Sequence, residues 1–331
     1  MSHVLQKGFI TLASRRNNND MKQKAEDVLI ASSFNVDLTQ CPKKLRLAVG
    51  LNAAAVSSKA LETALAMYNK ERGDILYLFT VDEGKDNKWG TVKQVQDNAN
   101  LRCSHLEIEP IWQVKTLHEG EKAVDILLNL AERYLVDFMF VGSMGSNSDG
   151  QGIHVLGTTS EFSLRNSLVS VVVVKNTAYE FKVESLEEDG GLTYFIATDH
   201  SLAAQAAFAW LVMLVVKQGR DKLYVAYTSD IAASTTLLEP YKSVMRLRGI
   251  DGDCIFDSSD GAEKPSTRIM QLAKKYNSDF VVTGVSGFSG DKKLGSVSED
   301  IVTNSRSSVV VVKEPTEVAD RRRIRVTVGA A

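Results

Sequence analysis

The chain repeats itself once, and this limits its fold more than any single motif does. Residues 123–142, AVDILLNLAERYLVDFMFVG, read onto residues 266–284, STRIMQLAKKYNSDFVVTG. Each stretch is followed by a glycine-containing loop, a short polar helix-like segment and the hexapeptide SVVVVK, at 170–175 and 308–313. Upstream, LRLAVG (45–50) and TYFIATD (193–199) stand in equivalent places, each leading into a long alanine-rich helical pattern. The period is roughly 140 to 150 residues, the size of one domain.

Within each copy short β-prone apolar runs alternate with helical segments, as in DILYLFTV (74–81) before DFMFVG, and KLYVAYT (222–228) before DFVVTG. Such alternation specifies βαβ units on a parallel sheet, and runs that are apolar on both faces require helices on both sides. Apolar spacing of three and four residues predicts helices over 57–70, 121–134, 202–216 and 267–276. Four consecutive valines at an open sheet edge would expose unpaired backbone on a strongly β-prone segment, so both terminal strands need a cover. Pairing one with the other gives an intramolecular pseudo-dimer, and an external partner or a second chain would serve as well. The expected organisation is an N-terminal arm (1–43), a first domain (44–176), an acidic linker (177–192), a second domain (193–314) and a basic tail (315–331). The arm carries RRNNND and a candidate helix over 21–31, and the tail segment RRRIRVTV could add a strand to a sheet edge.

Composition narrows the function. With 331 residues, 44% hydrophobic and 24% charged, the chain can bury two cores, and a net charge of −2 gives no global reason to bind nucleic acid. Cys41, Cys103 and Cys254 are scattered and odd in number, which suggests neither a disulfide framework nor a zinc ribbon. The five histidines include no helical i, i+4 metal pair. No apolar run has the form of a signal peptide or a membrane span, so no membrane is expected and a cytoplasmic location is the default.

After β-prone DFMFVG and DFVVTG the loops become specific. The first copy has Gly142, Gly145, Gly157 and Thr158, with eleven residues between the second and third glycines; the second has Gly284, Gly287, Gly295 and Ser296, with seven. Glycines there permit positive φ and close approach of a ligand, and the helix entered at Gly-Ser or Gly-Thr aims free N–H groups at a phosphate, while Ser296 or Thr158 can cap it. A plain turn with an ordinary cap is the alternative.

The whole unit, final valine strand included, resembles the universal stress protein family, over most of 45–175 and 193–313. The resemblance implies two tandem Rossmann-like α/β domains of the adenine nucleotide alpha hydrolase-like type, each an open parallel five-stranded sheet with helices on both faces. It also implies an adenine-nucleotide site, with an Asp at the end of the first strand. Copy two keeps that residue in IATDHS as Asp199; copy one reads LAVGLN, which places Gly50 there and implies a degenerate first site. The implied site in copy two comprises Asp199, Gly284, Gly287, Lys292, Gly295, Ser296 and Val297, with Lys292 and Lys293 as point charges for phosphate, or else as surface lysines. ATP, ADP or AMP is the expected ligand, with Mg2+ only alongside ATP.

Both copies lack an Arg between the first two glycines, and the shorter second loop suits AMP or ADP better than a wrapped triphosphate. No P-loop run exists, and adjacent Asp199, His200 and Ser201 cannot converge as a triad; Ser201 is read as a helix cap and His200 as facing solvent. No catalytic base is visible, so at most slow ATPase activity is expected. Two functions follow: a nucleotide-binding regulatory protein in stress response or signalling, or a structural adaptor of a ciliary or cytoskeletal assembly. In either, the arms could bind protein partners and further self-association is open.

Overall fold

The computed structural model describes residues 27–28, 30, 32–34, 43–84, 90–143, 156–175, 191–229, 235–258, 263–285 and 294–313. Residues 177–190 of the linker, the tail and RRNNND lie outside them.

The first copy runs β1 (Arg46–Leu51), α1 (Ala55–Met67), β2 (Ile75–Asp82), α2 (Val92–His105), β3 (Ile111–Thr116), α3 (Ala123–Arg133), β4 (Phe138–Gly142), α4 (Thr158–Asn166) and β5 (Ser170–Val174). The second repeats the order as β6 (Thr193–Ala197), α5 (Leu202–Trp210), β7 (Lys222–Ser229), α6 (Glu239–Leu247), β8 (Asp251–Ser258), α7 (Pro265–Lys275), β9 (Phe280–Gly284), α8 (Ser296–Asn304) and β10 (Ser308–Val312). The helix expected to reach 216 ends as α5 at Trp210 and widens into a π turn at Leu211–Val215, where the Val216 N–H reaches back five residues to the Leu211 carbonyl.

The ten strands among the described residues form one sheet in the order β3-β2-β1-β4-β5-β10-β9-β6-β7-β8. The two five-stranded sheets expected from the repeat are therefore halves of a single layer. Strands within each half are parallel, and β5 meets β10 antiparallel with Val172 opposite Val310. Val171 to Val174 and Val309 to Val312 are at most 2% exposed, because helices cover both faces of the seam.

One core layer, containing α1, α2, α5 and α6, takes Val172, Val174, Val310 and Val312; the other, containing α3, α4, α7 and α8, takes Val171, Val173, Val309 and Val311. The lysines that end the two hexapeptides cross the seam. The Lys175 ammonium donates to the Val302 and Thr303 carbonyls at the end of α8, and Lys313 donates to the Leu164 carbonyl of α4 at 3.0 Å. Cations at helix C-termini satisfy carbonyls that have no partner within the helix.

The same device starts both halves of the sheet. Aspartates one residue ahead of β2, β4, β7 and β9 accept the first N–H groups of β1 and β6: Asp74 from Leu45, Asp137 from Arg46, Asp221 from Leu192 and Asp279 from Thr193, at 2.8–3.0 Å. Arg72 and Arg220 pair with Asp74 and Asp221. Burial, against the opposing Thr193 hydrogen bond, pushes the Asp279 carboxyl up to about 6 from 3.8.

Between about pH 4 and 6 the folded chain therefore keeps a proton that the unfolded chain has released, so this group's contribution to stability falls as pH rises through that window. Asp279→Asn retains an acceptor for Thr193. It is expected to remove a slope on the order of 2–3 kcal/mol from urea-unfolding stability measured from pH 4 to 6. Identical slopes in both proteins would refute this.

Candidate functional site

Ligands of open α/β sheets bind beyond the carboxyl ends of the strands. Here the ends of β1 and β4 in copy one, and of β6 and β9 in copy two, lie side by side. Their register fixes which residues correspond. Leu47 pairs with Phe138 and Tyr194 with Phe280, the first residues of DFMFVG and DFVVTG after the aspartate. Counting forward, Gly50 corresponds to Ala197, and the counterpart of Asp199 is Asn52. The expectation that Gly50 replaces the carboxylate is thus corrected, since copy one holds an amide of the same shape.

The local geometry agrees. The Ala54 N–H donates to Asn52 Oδ1 at 3.0 Å, as the Ser201 N–H donates to Asp199 Oδ1 at 3.0 Å, each closing an Asx turn ahead of a helix. Asp199 is exposed, and Ser201 caps α5 by accepting from the Ala204 N–H at 3.3 Å.

His200 does not face solvent. It takes a left-handed φ of 61°, its N–H donates to Thr198 Oγ1, and its half-buried ring packs 4.8 Å from Tyr227 and 5.6 Å from Tyr241. Burial lowers its pKa, with Asp199 opposing. Thr198 Oγ1 also bonds the Tyr241 hydroxyl at 3.0 Å, so the turn carrying Asp199 is held from below.

The first glycine of each motif has a packing role. A Cβ on Gly142 would come within 2.5 Å of Val56 Cγ1, and one on Gly284 within 3.0 Å of Ala203 Cβ, because the first turn of α1 or α5 rests on the strand end. Gly157 and Gly295 are the N-caps of α4 and α8, with ordinary φ of −66° and −65°, so their left-handed freedom is not used. Thr158 and Ser296 sit inside the helices, and neither hydroxyl caps. Both helices start without a side-chain cap. Ser160 and Ser298 instead donate to the Gly142 and Gly284 carbonyls, tying each helix to its strand. No signal in the sequence singled out those two serines, because a serine in a first turn is common.

In copy one these parts converge. Asn52, Ser57, Glu83, Gly142, Thr159 and Ser160 line one cleft of about 90 Å3, well below the ~300–1,000 Å3 of a complete small-molecule site. In copy two Val297 is 37% exposed beside Ser296 at the matching helix start. Gly145, Gly287, Lys292 and Lys293 lie outside the described residues.

The comparisons agree with this architecture. The family model described as the universal stress protein family matches residues 260–313. The crystal structure of a universal stress protein from Archaeoglobus fulgidus DSM 4304 superposes at a TM-score of 0.58 and 20% identity, over 81% of this chain and 98% of that one. The chain is similar to that family over 260–313 and shares the fold of that structure across both copies. A functionally unknown protein from Pseudomonas aeruginosa PAO1 also spans both, at a TM-score of 0.55 and 12% identity over 88% of this chain and 100% of that one. A universal stress protein in complex with cAMP matches 40% of this chain and 97% of that one at 20% identity, with a TM-score of 0.32. No curated protein matches the sequence. Among the described residues, no helix is long and apolar enough to cross a membrane, and no group of three His, Cys, Asp or Glu could hold a metal ion.

Proposed function

We propose that the protein is a nucleotide-binding regulatory protein, with an adenine nucleotide held by copy two. The residues assigned to it are Asp199, Gly284, Gly287, Lys292, Gly295, Ser296 and Val297. The observation that supports this most is the exposed Asp199 carboxylate, held by an Asx turn at the end of β6 beside the end of β9. The uncapped start of α8 follows β9. A carboxylate accepts from hydroxyl or amino groups of a nucleoside, and the free N–H groups of a helix start suit a phosphate. Gly142, Gly145, Gly157 and Thr158 form the corresponding place in copy one, where Asn52 offers an amide. ATP with Mg2+ is compatible with slow turnover, and no residue is assigned as its base.

Labelled ATP and AMP, with GTP as control, test the reading. Saturable binding of an adenine nucleotide is expected, and Asp199→Ala should weaken it at least tenfold, the effect of losing a charged hydrogen bond of about 1.5–3 kcal/mol. Absence of binding at millimolar nucleotide would leave the structural adaptor reading in its place. One observation favours that second reading: Ile30 and Phe34, outside both repeats, are at most 2% exposed, with Phe34 packed on Phe208 and Tyr241 of copy two. A segment committed to the body at Ile30 and Phe34 is a structural element.

A further inference from the structure

The two halves differ where α1 meets α2 and α5 meets α6. The second helix of each copy ends at a left-handed residue, Glu107 (φ 52°) or Gly249 (φ 60°). In each, the next N–H returns to a helix carbonyl, Ile108 to Cys103 and Ile250 to Met245, both at 2.9 Å. Cys103 therefore corresponds to Met245, and Ala99, four residues earlier, to Tyr241. Val56 and Ala203 both rest on the strand-end glycine, which makes Leu61, five residues later, the counterpart of Phe208.

In copy two this place is packed with rings. Tyr241 lies 4.8 Å from Phe208 and 4.8 Å from Phe34, with His200 at its other edge. In copy one the smaller Ala99 and Leu61 border a cavity of about 220 Å3. That is below the ~300–1,000 Å3 of drug-sized ligands and suits one ring system.

Its walls are chemically mixed. Leu61 and Ala99 are apolar, while Asn52, Gln94 and Asn98 bring side-chain amides. Arg102, also in the lining, is clamped by Glu62 through Nε at 2.5 Å and Nη2 at 2.8 Å. A guanidinium fixed in this way presents a flat face to an aromatic ring, and its charge is already balanced by the carboxylate. A neutral ring with hydrogen-bonding groups on its edge matches all three features, whereas a ligand with net charge would compete with the Arg102–Glu62 pair.

We propose that the cleft between α1 and α2 of copy one is a binding site for a small neutral heteroaromatic or phenolic molecule. It is separate from the nucleotide site proposed in copy two, since none of residues 284–297 lines it, and in copy one it lies on the α1–α2 side of Asn52, which it shares with the cleft at Gly142. The position that copy two fills with its own aromatic side chains is left in copy one for a ring from solution.

The test is NMR on the full chain with adenine, indole and phenol as probes. Saturable binding of at least one probe is expected, with contacts to the Ala99 and Leu61 methyl groups. Ala99→Tyr and Leu61→Phe each install the copy-two side chain and should weaken that binding tenfold or more. The proposal fails if no probe saturates at millimolar concentration, if the methyl contacts of the wild-type protein map elsewhere, or if a folded variant binds as the wild type does. Should neither variant fold, the wild-type contact map decides alone. Loss of ATP and AMP binding with retention of the probe would sink only the nucleotide reading.

Discussion

Val310→Asp is expected to abolish the compact fold of both halves together. Val310 is fully buried, stands opposite Val172 across the antiparallel seam and takes part in the core layer that spans both copies. A carboxylate there has no partner among Val172, Val282 and the helices above, and burying it costs at least about 4 kcal/mol, much of the 5–15 kcal/mol that holds a domain. Threonine at the same position keeps the branched shape and the backbone pairing, and should cost far less. Light scattering and thermal unfolding separate the outcomes. Aggregation or loss of cooperative unfolding in the Asp variant, with a single lowered transition in the Thr variant, is expected. A compact monomeric Asp variant with wild-type unfolding would show that β5 and β10 do not pair in solution.

The second large effect is Gly252→Ala. Gly252 lies in edge strand β8 at φ 136°, a conformation that L side chains rarely adopt, and a Cβ there would sit 1.8 Å from the Leu223 carbonyl oxygen of β7. Neither strand can yield easily, because the Cα that would carry the Cβ and the Leu223 carbonyl both belong to a paired ladder. Backbone strain of about 1–3 kcal/mol adds to the clash, so β8 should detach locally before the chain as a whole unfolds. Amide exchange is the measurement. Protection of the β7 and β8 amides should collapse while β1, β4, β5 and β10 stay protected. Unchanged protection throughout would contradict the observed register.

These predictions draw on different levels of information. The valine strands were legible because SVVVVK is continuous, apolar and duplicated, and an unpaired edge of that kind is chemically untenable. Strands β3 and β8 were not picked out. IWQVKT and DGDCIFDS are edge strands with few buried positions, and without a buried face a strand loses the alternation that marks it. Gly252 in particular reads as a turn residue until its carbonyl neighbour is seen.

The candidate site divides in the same way. Asp199 was implied by the family resemblance, whereas the Ser201 cap follows from local chemistry, as IATDHS ends an apolar run with a helix-starting serine. Asn52 was missed because the two first strands differ in length, so aligning their text puts Gly50 against the aspartate. Only the pairing of Leu47 with Phe138 and of Tyr194 with Phe280 sets the true correspondence. His200 was misplaced because a lone histidine in a loop carries no sign of whether Tyr227 and Tyr241 will fold over it.

By itself, then, the sequence determined the duplication, the parallel α/β layering and the need to cover two valine strands, all of which follow from periodicity and backbone hydrogen bonding. Tertiary structure decided which side chains meet: the lysines that cross to the opposite helix end, the amide that stands for a carboxylate, and the ring-sized cleft left where Ala99 replaces Tyr241. Such contacts join residues far apart in the chain, and their geometry is set by register and helix placement, which no local pattern of residues encodes.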